Sequence, residues 1–228
     1  MNRLGDITYM QDNKNKKESS EETEDIDVEG LVDAINSSSS LPLPSVKEYY
    51  DDEEDRIIWI DKEISDDEVS IIKKIIGYNK ADKDVAIEER KPIKILLNTP
   101  GGSVPVMWCI ANAIRMSKTP VITINMCECL SAGSTIFAAG HKKLAMPGST
   151  FLIHSGSCAY GGTVEQVNSA KKYYDALSKK ADDFLLSKLN IDAKTFKKKS
   201  QVDWYISDEE AVNIGLADKI VEDIYEVA

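Results

Sequence analysis

A serine hydroxyl attacks a carbonyl only when a base beside it takes its proton and donors face the oxyanion that forms. Three short segments of this chain supply those residue types. Cys129-Leu130-Ser131-Ala132-Gly133 follows the apolar run Val121-Ile122-Thr123-Ile124, and Thr150-Phe151-Leu152-Ile153-His154 ends a second such run. Asn98-Thr99-Pro100-Gly101-Gly102 follows a third. The chain has only 2 histidines, so few pairings of a hydroxyl with an imidazole base are open to it. Ser131 stands where a strand is expected to turn into a helix, at the positive end of the helix dipole and beside amides with no intrahelical partner. The Ala132 amide is then one oxyanion donor. Gly102, at the equivalent end of the neighbouring strand, has no side chain to hold a peptide away and offers the second. Each segment alone also has a plain structural use, as a cap, a strand-end histidine or a turn. Together they point to acyl transfer, with Ser131 as nucleophile, His154 as base and a peptide bond as target.

The elements that must position these residues are legible from patterning. Residues 56–60 (Arg-Ile-Ile-Trp-Ile) and 93–97 read as buried strands, and 121–125 as a third. A helix is expected from Ser65, with Glu68 closing a capping box, with Val69, Ile72, Ile75 and Ile76 as its apolar face and Gly77 at its end. Residues 79–91 read as a loop. Val104, Met107, Ile110, Ala111 and Ile114 mark a second helix, and 131–139 a third. Strand followed by helix, three times over in β-branched sequence, predicts an α/β fold whose mainly parallel sheet is packed with helices. Short strands are expected at 143–146 and 150–154. A long helix over 163–189 should follow, with Val164, Val167, Ala170, Tyr174, Leu177, Ala181, Phe184 and Leu185 at helical spacing. A last helix should open at Ser207, with Glu210 as capping-box partner and Gly215 past its end, before a strand at 219–221.

Composition bounds the partners. The net charge is −11 and the pI about 4.8, which argues against a bulk electrostatic grip on nucleic acid or an anionic membrane. No apolar run is long enough to span a bilayer, and no secretory signal is visible, so the cytoplasm is the expected compartment. Of the four cysteines, Cys127 and Cys129 form a C-x-C without further ligands nearby. They are expected to be small buried side chains of a strand, with no metal and no cofactor. Residues 1–45 read as an acidic tail with too little apolar surface to fold, and 46–228 as the folded domain. Within the tail, 28–35 has helix-like spacing, and Ser37 to Ser40 with Leu41-Pro42-Leu43-Pro44 form a flexible joint.

From about Lys47 to Tyr225 the sequence resembles the proteolytic subunit of the Clp (caseinolytic) protease family. Asn98-Thr99-Pro100-Gly101-Gly102 is similar to that family's Asn-Ser-Pro-Gly-Gly oxyanion strand. Ser131-Ala132-Gly133 with Phe137-Ala138-Ala139-Gly140 resembles its nucleophile helix. The segment from Leu144 to His154, and Glu209-Glu210-Ala211-Val212 with Gly215-Leu216-Ala217-Asp218, resemble its further signatures, in the family's order and with near-gapless spacing. The resemblance implies repeated β-β-α units of the Clp-protease and crotonase type. It also implies a handle helix beginning near Gly161, and a serine endopeptidase shielded inside two stacked, commonly heptameric rings of this same chain. A separate AAA+ unfoldase ATPase would supply polypeptide substrates, since this chain has no P-loop.

The resemblance breaks at the third catalytic position. The family's aspartate aligns with Lys199, and Asp203 stands four residues later. A carboxylate there fixes the histidine tautomer and stabilises its charged form, whereas a lysine would oppose protonation of His154. Three arrangements stay open: Asp203 as substitute, a Ser131–His154 dyad, or a weakly active or inactive ring subunit acting as a scaffold beside an active one. A phage-type capsid-maturation protease shares the same core and is a further alternative.

Overall fold

Runs of Ile, Leu and Val that alternate with helices have their apolar faces covered only if the strands lie side by side between those helices. A computed structural model describes residues 51–227. The tail, with its 28–35 and proline-rich segments, lies outside the described residues. Among the described residues seven strands form one sheet: β1 (Ile57–Ile60), β2 (Ile93–Thr99), β3 (Val121–Leu130), β4 (Lys142–Ala145), β5 (Thr150–Ile153), β6 (Trp204–Ser207) and β7 (Lys219–Ile220). The order is β1-β2-β3-β4-β7, with β5 also on β3 and β6 on β5. β3 serves two neighbours in turn, pairing β4 over Ile122 to Asn125 and β5 over Glu128 to Leu130. Every pairing is parallel except β5 with β6. The fold is thus α/β with a mainly parallel sheet, as the patterning predicts.

Among the described residues six helices accompany it: α1 (Ser70–Ala81), α2 (Val104–Met116), α3 (Ala132–Ala138), α4 (Val164–Leu186), α5 (Ala193–Ser200) and α6 (Asp208–Asn213). Ile75 of α1, Met107, Ile110 and Ile114 of α2, and Ile136 and Phe137 of α3 share one core with Ile93, Ile95 and Leu97 of β2. The Phe137 and Phe151 rings meet at 4.7 Å between centroids. All seven residues of α3 are buried. Its small residues let it lie close to β2, where a Cβ on Gly133 would come within 2.7 Å of the Thr99 methyl.

Several local expectations are corrected. Ser65 makes no side-chain cap, and Glu68 is buried and ion-paired to Lys62 at 2.9 Å. A 3₁₀ turn at Asp66–Val69 precedes α1 and shifts the phase of its inner face to Ile71 and Ile75, leaving Val69 and Ile76 exposed. α1 runs through Gly77 to Ala81, and a short 3₁₀ turn at Ile87–Glu89 interrupts the expected loop. The regular apolar stripe of α4 reaches the core only in its last turns, where Leu185 is buried and Ala181 and Phe184 pack beside it, while Val164 is 71 % exposed. α5 is an additional helix, held at its start by Asp192, whose carboxylate accepts from the Lys194 and Thr195 amides. Ser207 caps α6 through the Glu210 amide, but the Glu210 carboxylate is drawn to Lys199 instead of completing the box. Cys129 is buried in β3, whereas Cys127 is exposed.

One buried ion pair locks α1 to the sheet. Arg56 donates to both Asp82 oxygens at 2.6 and 2.7 Å, and the Thr119 hydroxyl donates to the same carboxylate at 2.7 Å. The Arg56 hydrogen bonds hold the Asp82 carboxyl below its ordinary 3.8, against the opposing effect of burial and with help from Thr119. A lowered carboxyl pKa adds stability that is complete above the unfolded value and is lost as the pH falls through the folded one. Asp82→Ala is therefore expected to lower the unfolding free energy by about 3 kcal/mol at neutral pH. In urea titrations the gap from wild type should narrow below about pH 4. An undiminished gap in acid would show that the loss comes from packing alone.

Candidate active site

Two adjacent ladders bring the sequence-predicted residues together. Leu130 pairs with Leu152 across β3 and β5, and Ile153 pairs with Trp204 across β5 and β6. Ser131 lies one residue beyond the first pair. His154 and Asp203 lie one residue beyond the second, on strands of opposite direction, so they emerge at the same end of the sheet. His154 Nε2 is 2.8 Å from Ser131 Oγ, and His154 Nδ1 is 3.2 Å from Asp203 Oδ1. With its proton on Nδ1, the imidazole accepts from the serine hydroxyl and donates to the carboxylate. The His154 side chain is 23 % exposed and that of Asp203 is 61 % exposed.

Lys199, the residue at which the resemblance puts the third position, is engaged elsewhere. Its ammonium donates to Glu210 Oε1 at 2.8 Å and lies 4.4 Å from the centre of the Trp204 ring, while Trp204 Nε1 donates to the same Glu210 oxygen at 3.2 Å. α5 ends at Ser200, and the chain needs only Gln201 and Val202 before Asp203 reaches the histidine. The Ser155 hydroxyl donates to the Ser200 carbonyl at 2.9 Å and ties the segment after His154 to that turn.

Ser131 holds a backbone conformation that L-residues avoid, with φ 54° and ψ −115°. Such geometry costs on the order of 1–3 kcal/mol and persists where the surroundings over-determine it. Here the Ser131 amide donates to the Leu152 carbonyl at 2.9 Å, and the buried Ser134 hydroxyl bridges the Cys129 and Leu152 carbonyls at 2.6 and 3.0 Å. The bend turns the serine from β3 into α3 with its hydroxyl toward His154.

The glycine segment is built against this bend. Gly101 has φ 97°, and a Cβ there would stand 2.8 Å from the Ser131 Cβ. The Ile64 amide donates to the Gly101 carbonyl at 2.7 Å, and the Ser103 amide donates to the Ile64 carbonyl at 2.8 Å. This bridge occupies the residues on either side of Gly102, so the N–H of Gly102 is directed away from Ile64. Thr99 braces the turn, donating to the Lys62 carbonyl at 2.6 Å and accepting from the Gly101 amide at 3.1 Å. Ile64, Thr99 and Ser134 were not singled out by sequence reasoning. Only the Thr-Pro-Gly-Gly turn chemistry hinted at Thr99.

A cavity opens beside Ser131 and His154, walled by Val104, Met107, Ile153 and Leu185, with Asp182 of α4 at its lining. Burial pushes the Cys129 thiol strongly upward, so it stays protonated. Among the described residues no three His, Cys, Asp or Glu side chains are grouped to hold a metal.

A serine bonded to an imidazole that is bonded to a carboxylate is the arrangement of a serine peptidase. The Clp protease family profile matches residues 46–224, so the chain belongs to the Clp protease family and is a peptidase of the Clp type. The ATP-dependent Clp protease proteolytic subunit 2 of Treponema denticola is 30% identical over 139 residues, covering 60% of this chain and 70% of that protein. The protein of the same name from Prochlorococcus marinus is 28% identical over 173 residues, covering 73% of this chain and 81% of its own. Among solved structures, a ClpP1 variant from Listeria monocytogenes superposes with a TM-score of 0.67 at 19% identity, covering 80% of this chain and 99% of that one. At that identity the likeness is one of fold.

Proposed function

We propose that Ser131, His154 and Asp203 are the catalytic residues of this peptidase, with the Gly102 and Ala132 amides as its oxyanion hole. The observation that carries the reading is the unbroken chain from Ser131 Oγ through the His154 ring to Asp203. His154 Nε2 takes the Ser131 proton as Oγ bonds to the scissile carbonyl carbon, and the two amides receive the developing oxyanion. Collapse breaks the C–N bond, with His154 passing its proton to the leaving amine. Water then repeats the sequence on the acyl-enzyme. Asp203 holds the Nδ1 proton in place and stabilises the imidazolium.

The same reading makes the chain one subunit of a self-assembled ring, stacked in pairs and heptameric, fed with polypeptides by a separate AAA+ unfoldase. The exposed apolar side chains of α4, Val164 and Tyr173 among them, support a helix that packs on another subunit. The described helices include none long and apolar enough to cross a membrane. A cytoplasmic location is part of the same proposal, supported by four cysteines that are all free thiols.

The test is labelling of the purified chain with a fluorophosphonate serine probe, with particle mass read in parallel. The expected result is one labelled site per subunit that vanishes in Ser131→Ala. An assembled, folded ring that takes no label would overturn the catalytic assignment in favour of a scaffold subunit.

A further inference from the structure

We propose that Asp182 directs this peptidase to cleave after basic residues, its carboxylate receiving the lysine or arginine side chain on the acyl side of the scissile bond. The assignment rests on Ser131 being the nucleophile.

Ser178, Ala181, Asp182 and Leu185 follow one another at helical spacing, so a single stripe of α4 lines the cavity beside Ser131. The side chain that precedes a cleaved bond must enter a recess next to the attacked carbonyl, and this cavity adjoins both Ser131 and His154. Its walls are apolar at Val104, Met107, Ile153 and Leu185, which suits the methylene stem of a long side chain. Asp182 adds a negative charge to that lining and so suits a cationic head.

The carboxylate is not otherwise occupied. Lys179, one turn back on α4, is bonded to Asp183 at 2.6 Å, and Asp182 has no hydrogen bond or ion pair with another described residue. Burial pushes its carboxyl upward, Asp183 acts in the same direction, and Lys179 opposes them. A half-buried carboxylate in that state gains from an arriving cation. Among the described residues no second carboxylate lines the cavity, so recognition of a basic side chain there is assigned to this one residue.

The test uses three otherwise identical fluorogenic peptides carrying Lys, Arg or Leu before the scissile bond, assayed on the full-length wild type and on Asp182→Asn. Fluorophosphonate labelling establishes in each protein that the nucleophile is in place. Wild type is expected to cleave the Lys and Arg peptides with higher kcat/KM than the Leu peptide, and Asp182→Asn should lower that ratio roughly tenfold or more. In Asp182→Lys the ratio should fall below one. A labelled wild type that prefers Leu overturns the assignment on its own, whatever the variants do. So does a basic preference that survives in a labelled Asp182→Asn. Absence of labelling in the wild type overturns the Ser131 reading and this one with it.

Discussion

Replacing Ser131 or His154 with alanine is expected to lower kcat/KM by about 10⁵ to 10⁶-fold. The two groups act as one unit, because the hydroxyl has no base without the imidazole and the imidazole has no proton to take without the hydroxyl. The double variant should therefore be no worse than either single one, a strong departure from additivity. Stability provides the control. Ser131 sits at φ 54°, which alanine tolerates no better than serine, so Ser131→Ala should unfold near the wild-type temperature. Ser131→Gly should instead gain up to about 1 kcal/mol, as the strain of the bend is removed. Activity measured on a single peptide, with calorimetry on the same samples, checks both. Residual turnover above about a hundredth of wild type in Ser131→Ala would place the nucleophile elsewhere.

The second large effect separates Asp203 from Lys199. Asp203→Asn should reduce kcat/KM by about 10² to 10⁴-fold, because the amide cannot support the imidazolium and favours the wrong tautomer. The lower end is favoured here because the carboxylate is 61 % exposed, so water competes for His154 Nδ1. Lys199→Ala should change the rate only a few-fold, since its ammonium is committed to Glu210 and the Trp204 ring. Its main cost should be in stability. Near-wild-type turnover in Asp203→Asn would establish a working Ser131–His154 dyad.

Much of this arrangement is legible in the sequence. β-branched runs that alternate with helices read as a parallel sheet covered on both faces, and parallel neighbours place Ser131 and Gly102 at the same end of the sheet. His154 follows from being one of two histidines and from ending an apolar strand. The rest depends on contacts between distant segments. Ser65 and Glu68 have the spacing of a capping box, yet the Lys62 ammonium takes the glutamate. The stripe on α4 has the periodicity of a core helix but lies largely outside the core, because periodicity reports that a face exists and not what covers it. α5 carries a lysine run and has only Phe196 and Ser200 buried, so its pattern is faint, although Asp192 stands as a cap at its start. The choice between Lys199 and Asp203 rests on where α5 stops, a boundary that a lysine-rich segment does not declare. Asp182 is one acid in a charged helix until folding turns its stripe toward Ser131.

The spacing of the three site residues is written in strand register. Leu130 with Leu152, and Ile153 with Trp204, are rungs of two ladders, and Ser131, His154 and Asp203 are the next residues past them. Register cannot drift continuously: one step inverts every side chain and two steps displace a residue by about 7 Å. The spacing of the three proposed catalytic residues is therefore digital. It does not loosen by tenths of an ångström as the edge strand β6 works free, but is present in full or absent. Partial unfolding at that edge would then read out as fewer active molecules of unchanged KM, and the order of the sheet margin could be counted by active-site titration.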